Sequence, residues 1–296
     1  MQTKNPSGFL NICKPSGCTS HDVVRMLKKQ LGIKKVGHSG TLDPLATGVL
    51  VIGINDATRL FEYLNSDKTY IAEITFGIKT DTDDITGNIT QQKQFTPDIK
   101  SVKDVISQFV GKNKQKPPVY SAVKINGRRA YNLARKGELN LEQMKEREFE
   151  IYSIDFISCN TNKLKIKVHC SAGTYIRSLA RDIGEKLDTF GTLSSLERTS
   201  VGDFNITTSL DPSLITPDNL PFNIVSPISV LSLSKFVLTP QEVTSIKLGK
   251  FIEVNSNTIN KTNLLQLIDR DDKLIAIGEF IEEKSTVKPK KVFITS

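Results

Sequence analysis

Apolar residues in this chain recur with two periods, and the switches between them outline its elements. Val23, Val24, Leu27 and Leu31 fall at the three-to-four spacing of one helical face, which predicts a helix over about 21–31. Thr19 or Ser20 can cap its start and Gly32 its end. The same spacing recurs in Val102, Val105, Ile106 and Phe109 over 98–110, and in Ile176, Leu179, Ala180, Ile183 and Leu187 over 174–187. Period two marks strands. Tyr70, Ala72, Ile74 and Phe76 share one side of a segment over 68–79, and Leu164, Ile166, Val168 and Cys170 alternate with Lys163, Lys165, Lys167 and His169. Residues 149–158 read as the partner of that second strand, and 8–14 as an opening strand before a turn at Pro15-Ser16-Gly17. Further helices are predicted over 56–64 and 128–136, whereas Pro117-Pro118 bars a helix from 117–122. Strands and helices mixed in this order give an α+β chain.

One apolar run does not alternate. Val49-Leu50-Val51-Ile52-Gly53-Ile54 reads as a strand buried on both faces, and a glycine-rich loop, Gly37 to Gly48, runs straight into it. That loop carries a single carboxylate, Asp43, which Pro44 holds in an extended or turn conformation. Asp-Pro is a common turn initiator. A carboxylate on a tight loop backed by a core strand is equally placed to act as nucleophile or base. Residue types alone leave both readings open.

The texture changes after Pro212, Pro217, Pro221 and Pro227, which mark an irregular connection. A short helix near 241–248 and strands over 251–254, 264–269, 274–280 and 292–295 then predict a compact β-rich tail. The expected division is 1–233 and 234–296.

Composition narrows the class. Hydrophobic residues make up 38% and charged residues 24%, as in a folded globular protein. No run approaches the ~20 apolar residues of a membrane span, and the opening MQTKNPSGFL lacks a signal-peptide core, so the cytoplasm is the expected compartment. Cys13, Cys18, Cys159 and Cys170 show no CxxC spacing and read as reduced and structural; three scattered histidines predict no metal site. Asp81, Asp83 and Asp84 lack the spacing and distal glutamate of an EF-hand and read as a turn capped by acids. The net charge of +8 is concentrated: residues 112–136 hold Lys112, Lys114, Lys116, Lys124, Arg128, Arg129, Arg135 and Lys136 and no carboxylate. Interleaved with Tyr120 and Tyr131, these cations favour a phosphate backbone as partner. Arg177 falls in the first turn of its helix, where the macrodipole disfavours a cation, which invites a partner.

Several strings together resemble one family. GHSGTLDPLATG at 37–48 resembles the signature loop of the bacterial tRNA pseudouridine-55 synthases, and KPSGCTS, KTY, TDTDDITG, PPVYSAVKINGRRAYNLAR, CSAGTYIRSLARDIG and LSSLERT follow the family's motifs in order. The resemblance covers most of 8–200 and, more loosely, a PUA-like RNA-binding tail. It implies a pseudouridine synthase domain on a mixed, mainly antiparallel sheet flanked by helices and loops, with a basic thumb-like insertion over about 112–147. It also implies isomerisation of a uridine in the tRNA T-loop, with no cofactor and no metal, by a monomer. Asp43 would be the catalytic carboxylate, Arg177 its partner and Tyr70 the active-site tyrosine. His38, matching the family histidine, would fill the gap left by the displaced base or contact the displaced nucleotides. Tyr175 and Leu196 would contact the substrate or wall the uracil pocket, and Lys124, Arg128 and Arg129 would grip the T-arm. An RNA-binding or tRNA-folding protein with secondary catalysis, or a synthase acting on another RNA, are the alternatives. The joint presence of Asp43, Tyr70 and Arg177 favours the enzyme.

Overall fold

A computed structural model describes residues 6–254 and 263–293. The chain opens with β1 (Gly8–Lys14), α1 (Ser20–Leu31), β2 (Val36–His38) and β3 (Thr47–Ile54). Thr19 caps α1 through a reciprocal box with Asp22, and Gly32 ends it in the left-handed region. Then come β4 (Lys68–Phe76), β5 (Ile78–Thr80), β6 (Ile89–Gln92), α2 (Ile99–Ser107), β7 (Gly111–Gln115), β8 (Lys124–Ile125), β9 (Arg128–Arg129) and α3 (Ala130–Ala134). β10 (Arg147–Asn160), β11 (Lys163–Cys170), α4 (Ile176–Lys186), β12 (Gly191–Val201) and β13 (Phe204–Asn205) complete the larger unit.

Nine of these strands form one sheet in the order β1-β3-β12-β4-β11-β10-β7, with β2 added to β3 and β13 to β12. Every pairing is antiparallel except β3 with β12, which touch in parallel at Glu197–Thr47 and Arg198–Gly48. Helices α2 and α4 cover the face bearing Tyr70, Ala72, Ile74, Leu164, Ile166 and Val168, while α1 packs Val23, Val24 and Leu27 on Leu10, Ile12, Leu50 and Ile52. β3 is buried on both faces, as its unbroken apolar run requires.

Beyond this lies a five-stranded sheet, β14 (Ser234–Val237), β15 (Ile252–Glu253), β16 (Leu264–Ile268), β17 (Leu274–Ile281) and β18 (Thr286–Val292), ordered β14-β16-β17-β18-β15. Ile277 and Phe293 pack with Phe9, Val49 and Leu60 of the larger unit, and Arg59 donates to the Val292 carbonyl at 3.0 Å.

Three local expectations are corrected. Residues 56–64 form two 3-10 turns (Asn55–Arg59 and Phe61–Tyr63), which bury Ala57 and Leu60 without completing an α-helical stripe. Arg128 and Arg129 belong to the β8–β9 hairpin, and only Ala130–Ala134 is helical. The strand over 68–79 breaks at Gly77, whose φ of +81° turns the chain into β5. A strand the pattern did not predict, β18, runs through a lysine-rich segment with no clean alternation; of the strand expected over 292–295, residues 294 and 295 lie outside the described residues. β7, inside the basic segment, carries too few apolar residues to show a period. Among the described residues the four cysteines are free, no acid–thiol–imidazole cluster could hold a metal, and no helix is long and apolar enough to cross a membrane.

Candidate active site

Asp43 sits on the loop between β2 and β3, and the chain around it explains why the loop keeps one shape. Gly48 has a φ of +99°, and a Cβ there would lie 2.3 Å from the Arg198 carbonyl oxygen, so only glycine lets β3 begin against β12. The buried Ser20 hydroxyl accepts from the Leu42 N–H at 2.8 Å and lies 3.2 Å from its carbonyl. The KPSG turn forms a strap beneath: Gly17 N–H donates to the Pro44 carbonyl at 2.8 Å and Ser16 to the Leu45 carbonyl at 3.0 Å. The ammonium of Lys14, a fully buried residue, donates to the carbonyls of Pro15 and Cys18 at 2.8 Å and of Pro44 at 3.4 Å. Burial pushes the Lys14 pKa down, and the nearby Cys18 and Asp43 oppose that shift.

Arg177 reaches Asp43 from the first turn of α4. Its Nε donates to Oδ2 at 2.9 Å and its Nη2 to Oδ1 at 3.0 Å, a two-point pairing across 134 residues of sequence. The other protons go to the carbonyls of Thr82 and Tyr120, both at 3.1 Å, and Nη1 lies 3.7 Å from Asp84 Oδ2. These acceptors offset the unfavourable helix dipole that the sequence flagged. Arg177 is 5% exposed, whereas the Asp43 side chain keeps 31% of its accessibility. The cation is sealed in the protein and the carboxylate is open.

One turn later Arg181 repeats the arrangement. It bonds Asp83 at 3.0 Å, Asp182 at 2.8 Å and the Lys116 carbonyl at 3.1 Å. Spaced four apart on one helical face, the two arginines fasten the 81–87 turn and the root of the insertion to α4.

Tyr70 lies on β4 with its side chain on the same sheet face as Ala72 and Leu196. It is 6% exposed, and burial pushes its hydroxyl pKa up against the pull of Arg198. Tyr175 is the residue before α4. The Gln115 amide, oriented to satisfy both groups, accepts from its N–H at 2.9 Å and donates to its carbonyl at 3.2 Å. Burial also raises the Tyr175 pKa, and both Arg177 and Asp43 act on it. His38 pairs with Ile52 in β2–β3; burial, and then Arg198, lowers its pKa, and its Nδ1 has no hydrogen-bond partner among the described residues. Arg177 meets Asp43 directly, Tyr70 and Leu196 lie in one apolar cluster with Leu42 and Ala46 of the Asp43 loop, Tyr175 precedes Arg177 at the start of α4, and His38 lies on β2 beside β3. Lys124, Arg128 and Arg129 stand apart on the β8–β9 hairpin, with Arg128 paired to Glu138 at 3.0 Å.

Sequence reasoning missed Arg198, Asp84 and Arg181. Arg198 had a signal: it continues the inward period of β12 two residues after Leu196, a charge at a core position.

Known proteins resemble this chain in sequence and fold. A family model described as TruB family pseudouridylate synthase (N terminal domain) matches residues 28–176, which include Asp43 and Tyr70 and stop one residue short of Arg177. The chain belongs to the TruB family. A tRNA pseudouridine synthase B from Trichormus variabilis is 40% identical over 97% of this chain and 98% of its own length. One from Alkaliphilus oremlandii is 47% identical over 69% of this chain and 68% of its own. Among solved structures, a Cbf5-Nop10-Gar1 complex is matched with a TM-score of 0.71 and 26% identity, covering 97% of this chain and 85% of that one. An H/ACA RNP bound to a substrate RNA containing 2′-deoxyuridine matches with the same TM-score and coverage at 23% identity, a likeness of fold. The α+β expectation holds.

Proposed function

We infer that the Asp43 pocket isomerises a uridine of tRNA, position 55 in tRNA numbering, to pseudouridine. The observation that carries this is the open Asp43 carboxylate clamped by a sealed Arg177, in a chain of this family. In the reaction the bond from C1′ to N1 breaks, the uracil turns, C5 joins C1′, a proton leaves C5 and N1 takes one up. A carboxylate supplies the nucleophile or base, and a two-point guanidinium aims it.

The target base must first leave its stack, at a cost of a few kcal/mol. In this reading Tyr70 stacks on the everted uracil, Leu196 closes the pocket beside it, and Tyr175 lines its mouth. His38, kept neutral by burial, fills the space the base vacates. The exposed hairpin with Lys124, Arg128 and Arg129, within the insertion over about 112–147, grips the T-arm backbone, and its root is fixed to the site through the Tyr120 carbonyl on Arg177. Residues 234–296 serve as a PUA-like RNA-binding domain behind the catalytic domain 1–233. In this reading the enzyme works as a monomer in the cytoplasm.

The test is Asp43→Asn. It abolishes tritium release from 5-tritiated uridine in tRNA while tRNA binding stays near wild type. Appreciable turnover by the variant would remove Asp43 from the reaction.

A further inference from the structure

Arg198 is a fully buried arginine with no carboxylate within salt-bridge distance among the described residues. Burying such a charge is costly unless its donors are used. Two are: Nε donates to the Val49 carbonyl at 2.7 Å and Nη2 to the Gly40 carbonyl at 3.2 Å, bracketing the Asp43 loop. Nη1 is buried with no aligned partner among the described residues. In the β4–β12 register Arg198 lies directly opposite Tyr70, so the two side chains share the pocket face, next to the Leu196–Ala72 pair.

We propose that Arg198 is a positioning residue that fixes Tyr70 as a neutral hydrogen-bond donor toward the bound nucleotide. Polarity dictates the direction of that bond. A guanidinium carries donors only, whereas a phenol hydroxyl both donates and accepts. A hydroxyl facing Arg198 must offer it a lone pair, so its own proton points away, into the pocket. Burial keeps the phenol neutral, and the guanidinium nearby makes its O–H a stronger donor. Tyr70 then gives a hydrogen bond to an oxygen or nitrogen of the everted nucleotide in addition to stacking on it. The unpartnered Nη1 is the donor held ready for that hydroxyl.

This rests on reading the pocket as the isomerisation site, and the controls separate the two. Single-turnover tritium release and tRNA binding are measured for wild type, Tyr70→Phe, Arg198→Lys, the double variant and Asp43→Asn. Tyr70→Phe slows release about tenfold with tRNA affinity unchanged, and adds nothing further in the Arg198→Lys background, because each change breaks the same link. Multiplicative losses mean that Arg198 supports the loop alone, and overturn the proposal. A full rate in Tyr70→Phe also overturns it. Should Arg198→Lys fail to fold, para-aminophenylalanine at position 70 decides: it can still donate into the pocket, so it restores most of the rate lost in Tyr70→Phe, and no restoration refutes the donor role. Activity in Asp43→Asn would instead bring down the reading of the site itself.

Discussion

Replacing Arg177 by lysine keeps the charge and removes the fork. In the native site the guanidinium makes two bonds to Asp43 and one each to the carbonyls of Thr82 and Tyr120. A lysine ammonium is a compact point charge with three donors and cannot serve all four acceptors, so the two-point pairing and at least one bond disappear. Hydrogen bonds to charged groups contribute about 1.5–3 kcal/mol each, and breaking a buried ion pair costs about 3–5 kcal/mol. The Asp43 side chain is 31% exposed and water can replace part of the missing pairing, so the low end applies, about 3 kcal/mol. If that loss falls on the aim of the carboxylate, single-turnover tritium release from 5-tritiated tRNA drops about 100-fold, since ~1.4 kcal/mol is a factor of ten. Filter binding reports tRNA affinity separately and stays near wild type, because Arg177 is only 5% exposed and has little surface to offer the RNA. A variant within about threefold of the wild-type rate, or one whose loss tracks weakened binding, refutes this role for the fork.

Gly48→Ala places a methyl 2.3 Å from a backbone oxygen at a φ of +99°, with no flexible side chain to yield, and should cost about 3 kcal/mol or more in urea unfolding. Lys14→Met leaves the carbonyls of Pro15, Cys18 and Pro44 without their donor; stability falls by about 2–3 kcal/mol and tritium release falls further than tRNA binding, whereas equal losses would show that the strap does not shape the site. His38 has a folded pKa below its unfolded value, so unfolding takes up a proton in the interval between them. The stability of the neutral imidazole is complete above about pH 6.5 and declines as pH falls toward the lowered value, and a His38→Gln variant loses that component of the slope in melts run from about pH 7.5 to 5. Neutralising Lys124 and Arg129 should flatten the salt dependence of tRNA binding by about 0.7–0.9 in log–log slope for each phosphate no longer neutralised, and an unchanged slope means these side chains face solvent alone. Arg128, already paired with Glu138, contributes less.

What the sequence determined by itself was local. Helical stripes, period-two strands, the capping threonine before α1 and the obligatory glycines of the Asp43 loop follow from rules that reach a few residues along the chain, and they were legible for that reason. Where the apolar pattern weakened, as in residues 56–64, β7 and the lysine-rich β18, the period carried no signal, and pairing across the sheet or packing beneath it chose the conformation. The candidate site shows the same division. Asp43, Tyr70 and Arg177 could be picked out by residue type and motif, but nothing in the spacing of residues 43 and 177 says that their side chains meet. The nine-stranded sheet decides that, by laying β3 against β12 and seating α4 over the same face. The unpartnered nitrogen of Arg198 opposite Tyr70 is likewise a property of register. A shift of one residue between β4 and β12 would turn that side chain to the other face of the sheet and leave Tyr70 without its neighbour.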